Sequence, residues 1–250
     1  MNGRGLTGLG VDIGGSGVKG GIVDLEVGTL ITERFRIPTP QSSAESVLDV
    51  VGAIIDHFEW DGPVGVAVPG VVAEGRIRSA VNLAGDWTRF DVEGYLASRA
   101  ELPFHILNDA DAAGLAETRY GAGRGAPGMT MVLTFGTGIG SALIVDGVLV
   151  PNTEFGHLEF AGGELEHYAA GRLVEEEGMD IDEWARRADE VISHLDHIFS
   201  PSLIILGGGI SERFDEYRSA FTFATPIVPA ALRNWAGIVG AAMASSATEF

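Results

Sequence analysis

Two glycine-bearing segments of this chain repeat one another at a fixed distance, and this repeat limits the possible folds more than any other sequence feature. Thr134 lies 122 positions after Asp12, and at that offset a glycine, two apolar residues and an aspartate also coincide. These matches are Gly14 with Gly136, Ile22 with Ile144, Val23 with Val145, and Asp24 with Asp146. Any two glycine hairpins share a few letters by chance, but here the order of the predicted elements is shared as well. A duplicated unit explains both, so we predict two similar lobes with a cleft between them.

Hydrophobic patterning predicts an α/β fold in which strands open each half and helices follow. In the first half it predicts strands at Leu9–Ile13, Val18–Val23, Leu30–Ile37, Val64–Val68 and Phe104–Leu107, a helix after a capping box of Ser42 and Glu45, and a helix from about 110 to 120. In the second half it predicts strands at Met131–Phe135, Ile139–Val145, near Val148 and at Leu203–Leu206, a helix lined by Trp184, Ala188, Val191, Leu195 and Ile198, and a last helix with Trp235, Ile238, Val239 and Ala242 on one face.

The charge balance and the cysteine content exclude several classes of function. The chain has 16 lysines and arginines against 35 aspartates and glutamates, a formal net charge of −19, so we expect no nucleic-acid partner and no anionic membrane surface as partner. The chain has no cysteine, which excludes a disulfide framework, a thiolate zinc site and a cysteine nucleophile. The first 15 residues contain no apolar run like that of a signal peptide, so we expect a cytoplasmic protein.

The first glycine hairpin carries the residue types that bind phosphate. The candidate donor-binding residues are Asp12, Gly14, Gly15, Ser16, Gly17 and Lys19. Glycine amides can surround an anion, Lys19 adds a cation, and the Asp12 carboxylate can hold hydrated Mg²⁺. A tight turn with no ligand is an equally good interpretation of this hairpin when it is considered alone.

The second hairpin and a later glycine triplet extend the candidate donor site. Their candidate residues are Thr134, Gly136, Thr137 and Gly138 in the hairpin, and Gly207, Gly208 and Gly209 after a buried strand. Neither hairpin is a Walker or Rossmann motif, because no helix starts directly from either one. The triplet would let a nucleobase or a phosphate chain lie against bare backbone, although a simple strand-to-helix turn fits it as well.

Two polar segments are candidates for the acceptor side of the reaction. Asn108 and Asp109 end a strand and open a helix, so one of them can be a plain N-cap, but a carboxylate there can also accept a proton from an attacking hydroxyl. Glu154 and His157, with Glu166 further on, suit a ligand rich in hydroxyl groups. A zinc site is a poor interpretation of this segment, because its histidines and glutamates lack the HExxH spacing.

Four motifs together resemble one known family. They are DIGGSGVKG at 12–20, NDAD at 108–111, LTFGTGIG at 133–140 and EFGH at 154–157, and PIVPAAL at 226–232 followed by AGIVGAA at 236–242 extends the match. The chain is similar to the ROK family of sugar kinases, and most of all to its branch of polyphosphate glucokinases and polyphosphate/ATP glucomannokinases. The resemblance covers nearly the whole chain.

The resemblance implies an actin-like ATPase fold of two ribonuclease-H-like lobes, here residues 1–118 and 119–250, with a last helix at about 231–246 that can pack back on the first lobe. It implies a Mg²⁺-dependent phosphoryl transfer from polyphosphate or ATP to a hexose, with Asp109 as the catalytic base and the two hairpins as phosphate loops. It also implies that Gly70, Asn82, Asn108, Asp109, Glu154, His157 and Glu166 contact the sugar, and that the protein is a homodimer.

Two departures from the family and three alternative functions shape the expectations. Many ROK proteins bind zinc through the equivalent of His157 and three cysteines, so we expect no structural zinc here. The segment after Arg172 is acidic where the branch is more basic, which leaves Arg119 and Arg124 as the nearest cations to the second hairpin. The alternatives are a strictly ATP-dependent kinase or one for another hexose, a sugar-sensing regulator, and a phosphohydrolase. The start of the first phosphate loop at Asp12 and the charge of −19 disfavour the regulator.

Overall fold

The first glycine hairpin joins two strands of a mixed sheet in the computed structural model, which describes residues 6–80, 83, 85–88 and 90–246. The sheet consists of β1 (Thr7–Ile13), β2 (Val18–Asp24), β3 (Thr29–Leu30), β4 (Phe35–Ile37), β5 (Val64–Val68) and β8 (Phe104–Asn108). The strand order is β3-β2-β1-β5-β8, and β4 also pairs with β2. β1 is antiparallel to β2 and parallel to β5, which is parallel to β8. A separate hairpin is formed by β6 (Gly70–Ala73) and β7 (Arg76–Ala80).

The second glycine hairpin starts a second sheet with the same plan. Its strands are β9 (Met129–Phe135), β10 (Ile139–Val145), β11 (Val148–Val150), β14 (Leu203–Gly207) and β15 (Ile227–Pro229), in the order β11-β10-β9-β14-β15. A short ribbon of β12 (Glu159–Phe160) and β13 (Gly163–Glu164) lies outside it. Because both sheets place an antiparallel hairpin beside two parallel strands, the predicted repeat is present in the topology.

Helices connect and cover these strands. They are α1 (Ala44–His57), α2 (Val92–Arg99), α3 (Asp109–Arg119), α4 (Leu165–Ala169), α5 (Arg172–Glu175), α6 (Ile181–Phe199), α7 (Phe214–Tyr217) and α8 (Ala236–Ser246), with 3₁₀ turns at Phe155–His157, Gly209–Arg213, Arg218–Ala220 and Arg233–Trp235. The chain divides into two compact units, one up to Ala116 and again from Trp235, and the other from Glu117 to Asn234. None of the helices formed by the described residues combines the length and the low polarity that crossing a bilayer requires.

Many of the glycines serve helix packing rather than ligand binding. Helix α8 lies on the first sheet so closely that a Cβ atom at Gly10 would collide with the carbonyl oxygen of Ile238. Gly65 on β5 leaves room in the same way for the backbone of α8, and Gly240 does so for the backbone of α3. Apolar residues of β1, β5 and α1 fill the core of this unit. The glycine-rich composition therefore has two causes, the hairpins and this close approach of helix to sheet.

Two local predictions in the first half are wrong in detail. The single strand predicted at 30–37 is two strands, because the hydroxyl of Thr32 accepts a hydrogen bond from the amide of Ile22 at 3.1 Å and breaks the ladder. The capping box of α1 lies one residue later than predicted. Ser43 is the N-cap, and its hydroxyl and that of Ser46 each accept from the backbone amide of the other residue.

Two predictions about the second-half helices also need correction. The last helix begins at Ala236 rather than near 231, since Arg233 has a left-handed φ of +48° that a regular helix cannot contain. Trp235 therefore precedes α8 in a 3₁₀ turn, and its side chain is 41% exposed. On α6, Trp184 and three later apolar residues are buried as predicted, but Ile198 in the last turn is 54% exposed.

Candidate active site

The first glycine hairpin is held open by three side chains that follow it in the chain. These side chains donate to three successive carbonyls of the turn: Thr39 Oγ1 to Gly14 O at 2.5 Å, Gln41 Nε2 to Gly15 O at 3.3 Å and Arg36 Nη2 to Ser16 O at 2.7 Å. The turn's carbonyls are therefore occupied by side chains. The amides of Gly15 and Ser16, in contrast, have no backbone acceptor among the described residues, and both residues are exposed. Exposed amides in a tight turn form a binding site for an anion such as phosphate.

Asp12 lies at the end of β1 opposite Lys19 on β2, and the two charged groups are 3.5 Å apart. Burial raises the pKa of the Asp12 carboxyl above its ordinary value, and the positive charges of Lys19 and Arg34 oppose that rise. Gly237 at the start of α8 lies so close to Asp12 that a Cβ atom there would be 2.9 Å from its carboxyl carbon. The carboxylate thus sits beside the hairpin, with a cation next to it.

The second hairpin and the glycine triplet are neighbours in the second unit. The amide of Gly136 donates to the carbonyl of Gly138 at 3.0 Å, and Thr134 pairs with Gly207 across β9 and β14. Gly208 has a φ of +82°, and a Cβ atom there would collide with the carbonyl oxygen of Phe135. Thr137 is exposed at the tip of the turn. The structure therefore brings together two segments that are about 70 residues apart in the sequence.

Four polar side chains converge next to this second hairpin. Glu166 on α4 accepts a hydrogen bond from the amide of Ile139 at 3.3 Å. The ring of His157 contacts Glu164 through Nδ1 at 3.0 Å and Glu154 through Nε2 at 3.7 Å. His157, Glu164 and Glu166 each place one ligand atom within 4.8 Å of the others.

Electrostatics within this cluster favour a charged imidazole. The hydrogen bond to Glu164 raises the pKa of His157, and the carboxylates of Glu166 and Glu154 act in the same direction. The same contact lowers the pKa of Glu164, whereas burial raises the pKa of Glu154. Carboxylates accept hydrogen bonds from hydroxyls and an imidazole N–H donates to a hydroxyl oxygen, so the cluster suits a ligand rich in hydroxyl groups.

In the first unit, Asn108 and Asp109 mark the junction of β8 and α3. The side chain of Asn108 is buried and makes two hydrogen bonds. Its Nδ2 donates to the backbone carbonyl of Gly70 at 3.1 Å, and its Oδ1 accepts from the backbone amide of Asp111 at 3.0 Å. The side chain of Asn108 thus caps α3 and fixes Gly70. Asp109 is half-buried and accepts from the amide of Ala110 at 2.8 Å. Asn82, the other sugar contact implied by the resemblance, lies outside the described residues.

Comparisons with known proteins identify the family of this chain. A family model described as the ROK family matches residues 8–178. The chain belongs to the ROK family. The ROK chain is 49% identical over 244 residues to a polyphosphate glucokinase of Mycobacterium tuberculosis, an alignment that covers 96% of this chain and 91% of that protein.

Solved structures of other ROK proteins superpose on most of the chain. An inorganic polyphosphate/ATP-glucomannokinase from Arthrobacter sp. strain KM matches with a TM-score of 0.90 and 48% identity, covering 95% of this chain and 97% of that one. A ROK family glucokinase from Streptomyces griseus, in complex with glucose and AMPPNP, matches with a TM-score of 0.83 and 27% identity over 96% of this chain and 99% of that one. The fold is therefore the actin-like ATPase architecture of the ROK sugar kinases, as the family resemblance implies.

Sequence reasoning missed one buried carboxylate of this ROK chain. Glu117 near the end of α3 is 1% exposed and accepts three backbone amides, from Ala122 at 2.9 Å, Ala231 at 3.0 Å and Leu232 at 2.7 Å. The only local signal is its position next to the buried Ala116 on the apolar face of the helix. It ties the loop after α3 to the segment before α8.

Proposed function

We propose that this ROK chain is a hexokinase-type phosphotransferase that moves a phosphoryl group from polyphosphate or ATP to the C6 hydroxyl of glucose. Identity of 49% to a polyphosphate glucokinase over 96% of the chain supports the activity, and the Arthrobacter polyphosphate/ATP-glucomannokinase supports the two donors. The observation that carries the proposal is local. The glutamate–histidine cluster touches the backbone of the second phosphate hairpin directly, through the bond from Ile139 N to Glu166.

In the proposed reaction the C6 oxygen of the sugar attacks the terminal phosphorus of the donor. The new C6 O–P bond forms as the bridging O–P bond of the donor breaks, and the shortened polyphosphate or ADP leaves. Asp109 accepts the proton of the hydroxyl, which is the role of a carboxylate base in phosphoryl transfer. The short bond from Ala110 N at 2.8 Å orients that carboxylate.

Each unit carries groups that suit the hydroxyls of a sugar. In the second unit, Glu154 and Glu166 accept hydrogen bonds from hydroxyls, while a ring N–H of His157 donates to a hydroxyl oxygen. In the first unit, Asn108 and Gly70 fix the start of α3. A site built this way loses affinity when one partner is removed, because the opposite polar group is then left unpaired.

Each hairpin has the features of a phosphate loop, and Asp12 beside the first hairpin is the residue that would hold Mg²⁺. One carboxylate fits this role, because Mg²⁺ in kinases takes one or two protein carboxylates and obtains its other ligands from phosphates and water. Asp12 meets that requirement, since it is adjacent to the exposed amides of the first hairpin. The bound ion would neutralise charge on the transferred phosphoryl group. Lys19 and the amides of Gly15 and Ser16 supply the remaining positive potential from the protein.

A strictly ATP-dependent kinase is the second candidate. The Streptomyces griseus structure supports it, because that relative was solved with glucose and AMPPNP. Two contacts in this chain also disfavour binding of a polyphosphate chain beyond the second hairpin. The guanidinium of Arg172 is neutralised by Glu177, and a Cβ atom at Gly209 would lie 2.6 Å from the carboxylate of Glu175.

One assay separates these candidates. Hexose-dependent phosphoryl transfer is measured with ATP and with polyphosphate over a panel that includes glucose and mannose. Turnover of glucose with either donor supports a sugar kinase, and turnover with ATP alone makes it strictly ATP-dependent. Donor hydrolysis that does not depend on sugar indicates a phosphohydrolase, and sugar binding without turnover indicates a regulator.

Three further properties belong to the proposal. We infer a homodimer, which light scattering at several protein concentrations tests, and a cytoplasmic location, which fractionation of the source cells tests. We also infer that no structural zinc is bound, and elemental analysis of the purified protein tests this. Stoichiometric zinc that is lost on changing His157 would reassign the cluster to a metal site.

A further inference from the structure

Three cations lie side by side next to the first phosphate hairpin, and we call Lys19, Arg34 and Arg36 the cation strip. In the register of the sheet, Lys19 on β2 is directly opposite Arg36 on β4 and Asp12 on β1. Like charges placed opposite one another on neighbouring strands destabilise a sheet. This row holds one carboxylate and two positive charges, and Arg34, whose charge also acts on Asp12, adds a third, so the strip has a surplus of positive potential.

What distinguishes the strip in a chain of net charge −19 is its position beside the first hairpin. Several arginines elsewhere are paired with carboxylates, as Arg76 is with Asp91 at 2.8 Å and Arg213 with Glu216 at 2.7 Å, whereas Arg78, Arg119, Arg124 and Arg233 form no ion pair among the described residues. Within the described part of the chain, Arg34 and Arg36 form no ion pair, although both are exposed. Cations left without carboxylates beside a phosphate-binding turn indicate an anionic ligand.

The two arginines are positioned by different contacts. Arg36 lies over the hairpin, where it donates to the Ser16 carbonyl and covers Gly17, and its remaining N–H groups are available to a ligand. Arg34 makes no hydrogen bond to the hairpin among the described residues, and its guanidinium carbon is 5.1 Å from the ring centroid of Trp235. This cation–π contact holds the guanidinium in place without neutralising it, and it explains the half-exposed tryptophan.

We propose that the cation strip binds the part of a polyphosphate chain that extends beyond the hairpin, with Arg34 as a residue that determines donor specificity. This inference rests on the proposed function and names the donor class for the same site. Polyphosphate offers only regularly spaced negative charge, which a row of cations recognises without any shaped pocket. ATP ends after three phosphates and gains little from a cation that lies beyond the turn.

Arg34→Gln is the test variant, because Arg34 does not support the hairpin itself. Arg78→Gln is the matched control, an exposed arginine on β7 with no carboxylate partner among the described residues. Initial rates with glucose are measured with long-chain polyphosphate, tripolyphosphate and ATP at low and high salt. Binding of polyphosphate to each variant without sugar gives a second readout that does not depend on turnover.

For Arg34→Gln we expect KM for long-chain polyphosphate to rise at least about fivefold, with kcat unchanged. KM for ATP and for tripolyphosphate should change less than about twofold, and polyphosphate affinity should depend less steeply on salt. Arg36→Gln should impair both donors, because it also releases the Ser16 carbonyl. Arg78→Gln should behave like the wild type.

Several results would refute the proposal that the cation strip binds polyphosphate. Equal loss with ATP and polyphosphate would show that Arg34 and Trp235 serve the nucleotide, and no loss would show that the chain runs elsewhere. An effect of Arg124→Gln with none from Arg34→Gln would place polyphosphate at the second hairpin. If the wild-type enzyme uses ATP but not polyphosphate, the proposed role of the cation strip is wrong and the proposed kinase activity still holds. If it uses neither donor, the proposed function itself is refuted.

Discussion

Replacing Glu117 by glutamine should lower the free energy of unfolding by about 2–4 kcal/mol, although the residue touches neither hairpin. Its carboxylate is buried, with Oε1 bound to the amide of Leu232 and Oε2 bound to the amides of Ala122 and Ala231. A glutamine offers one oxygen in place of two. If the glutamine oxygen keeps the hydrogen bonds from the amides of Ala122 and Ala231, the glutamine NH₂ group must face the amide of Leu232, which is also a donor.

The magnitude follows from counting these bonds. Glutamine loses one charge-assisted bond of 2.7 Å, puts two donors face to face, and leaves two bonds weakened by the lost charge. Alanine loses all three bonds, opens a cavity and leaves three buried amides without an acceptor, so Glu117→Ala should cost about 4–6 kcal/mol. Glu101→Gln, at an exposed position, should cost less than about 0.5 kcal/mol.

Urea unfolding followed by tryptophan fluorescence and by circular dichroism measures these differences. The reasoning requires the order alanine, then glutamine, then the Glu101 control, from the least to the most stable. A loss below about 1 kcal/mol for Glu117→Gln would show that the three amides find other partners. In that case the carboxylate does not fix the segment before α8.

Three further predictions concern the site. Asp109→Asn should leave folding and sugar binding intact but lower kcat by about 10²- to 10⁴-fold, and near-normal turnover at saturating sugar would exclude it as the base. Glu164→Gln should lower the pKa of His157, seen as a shifted ring-proton titration by NMR; an unchanged titration would contradict the contact. Because the pKa of His157 is raised in the folded protein, its protonation adds to the free energy of unfolding. This contribution is complete below the ordinary pKa of 6.5 and is lost as pH rises through the raised pKa. Gly138→Ala would push a Cβ atom into the carboxylate of Glu166, so kcat/KM for glucose should fall at least about tenfold, and an unchanged value would remove that glutamate from the sugar site.

The sequence determined the parts of this protein that depend on neighbouring residues. Alternating and continuous apolar runs indicated the strands of both sheets except β15, because side-chain burial along a strand or helix repeats with a local period. The repeat at 122 positions predicted that the two sheets share a plan, and their strand orders do. The motifs at the two hairpins and at Glu154–His157 were sufficient to predict the family.

Only the tertiary structure decided the contacts between residues far apart in the chain. Nothing near Arg36 in the sequence indicates that it holds the Ser16 carbonyl, and nothing near Glu117 indicates its bonds to residues more than 110 positions away. The break between β3 and β4 depends on whether Thr32 or a backbone carbonyl reaches the amide of Ile22. Such choices are settled by which groups meet when distant segments pack, because a buried amide must find an acceptor wherever the fold supplies one.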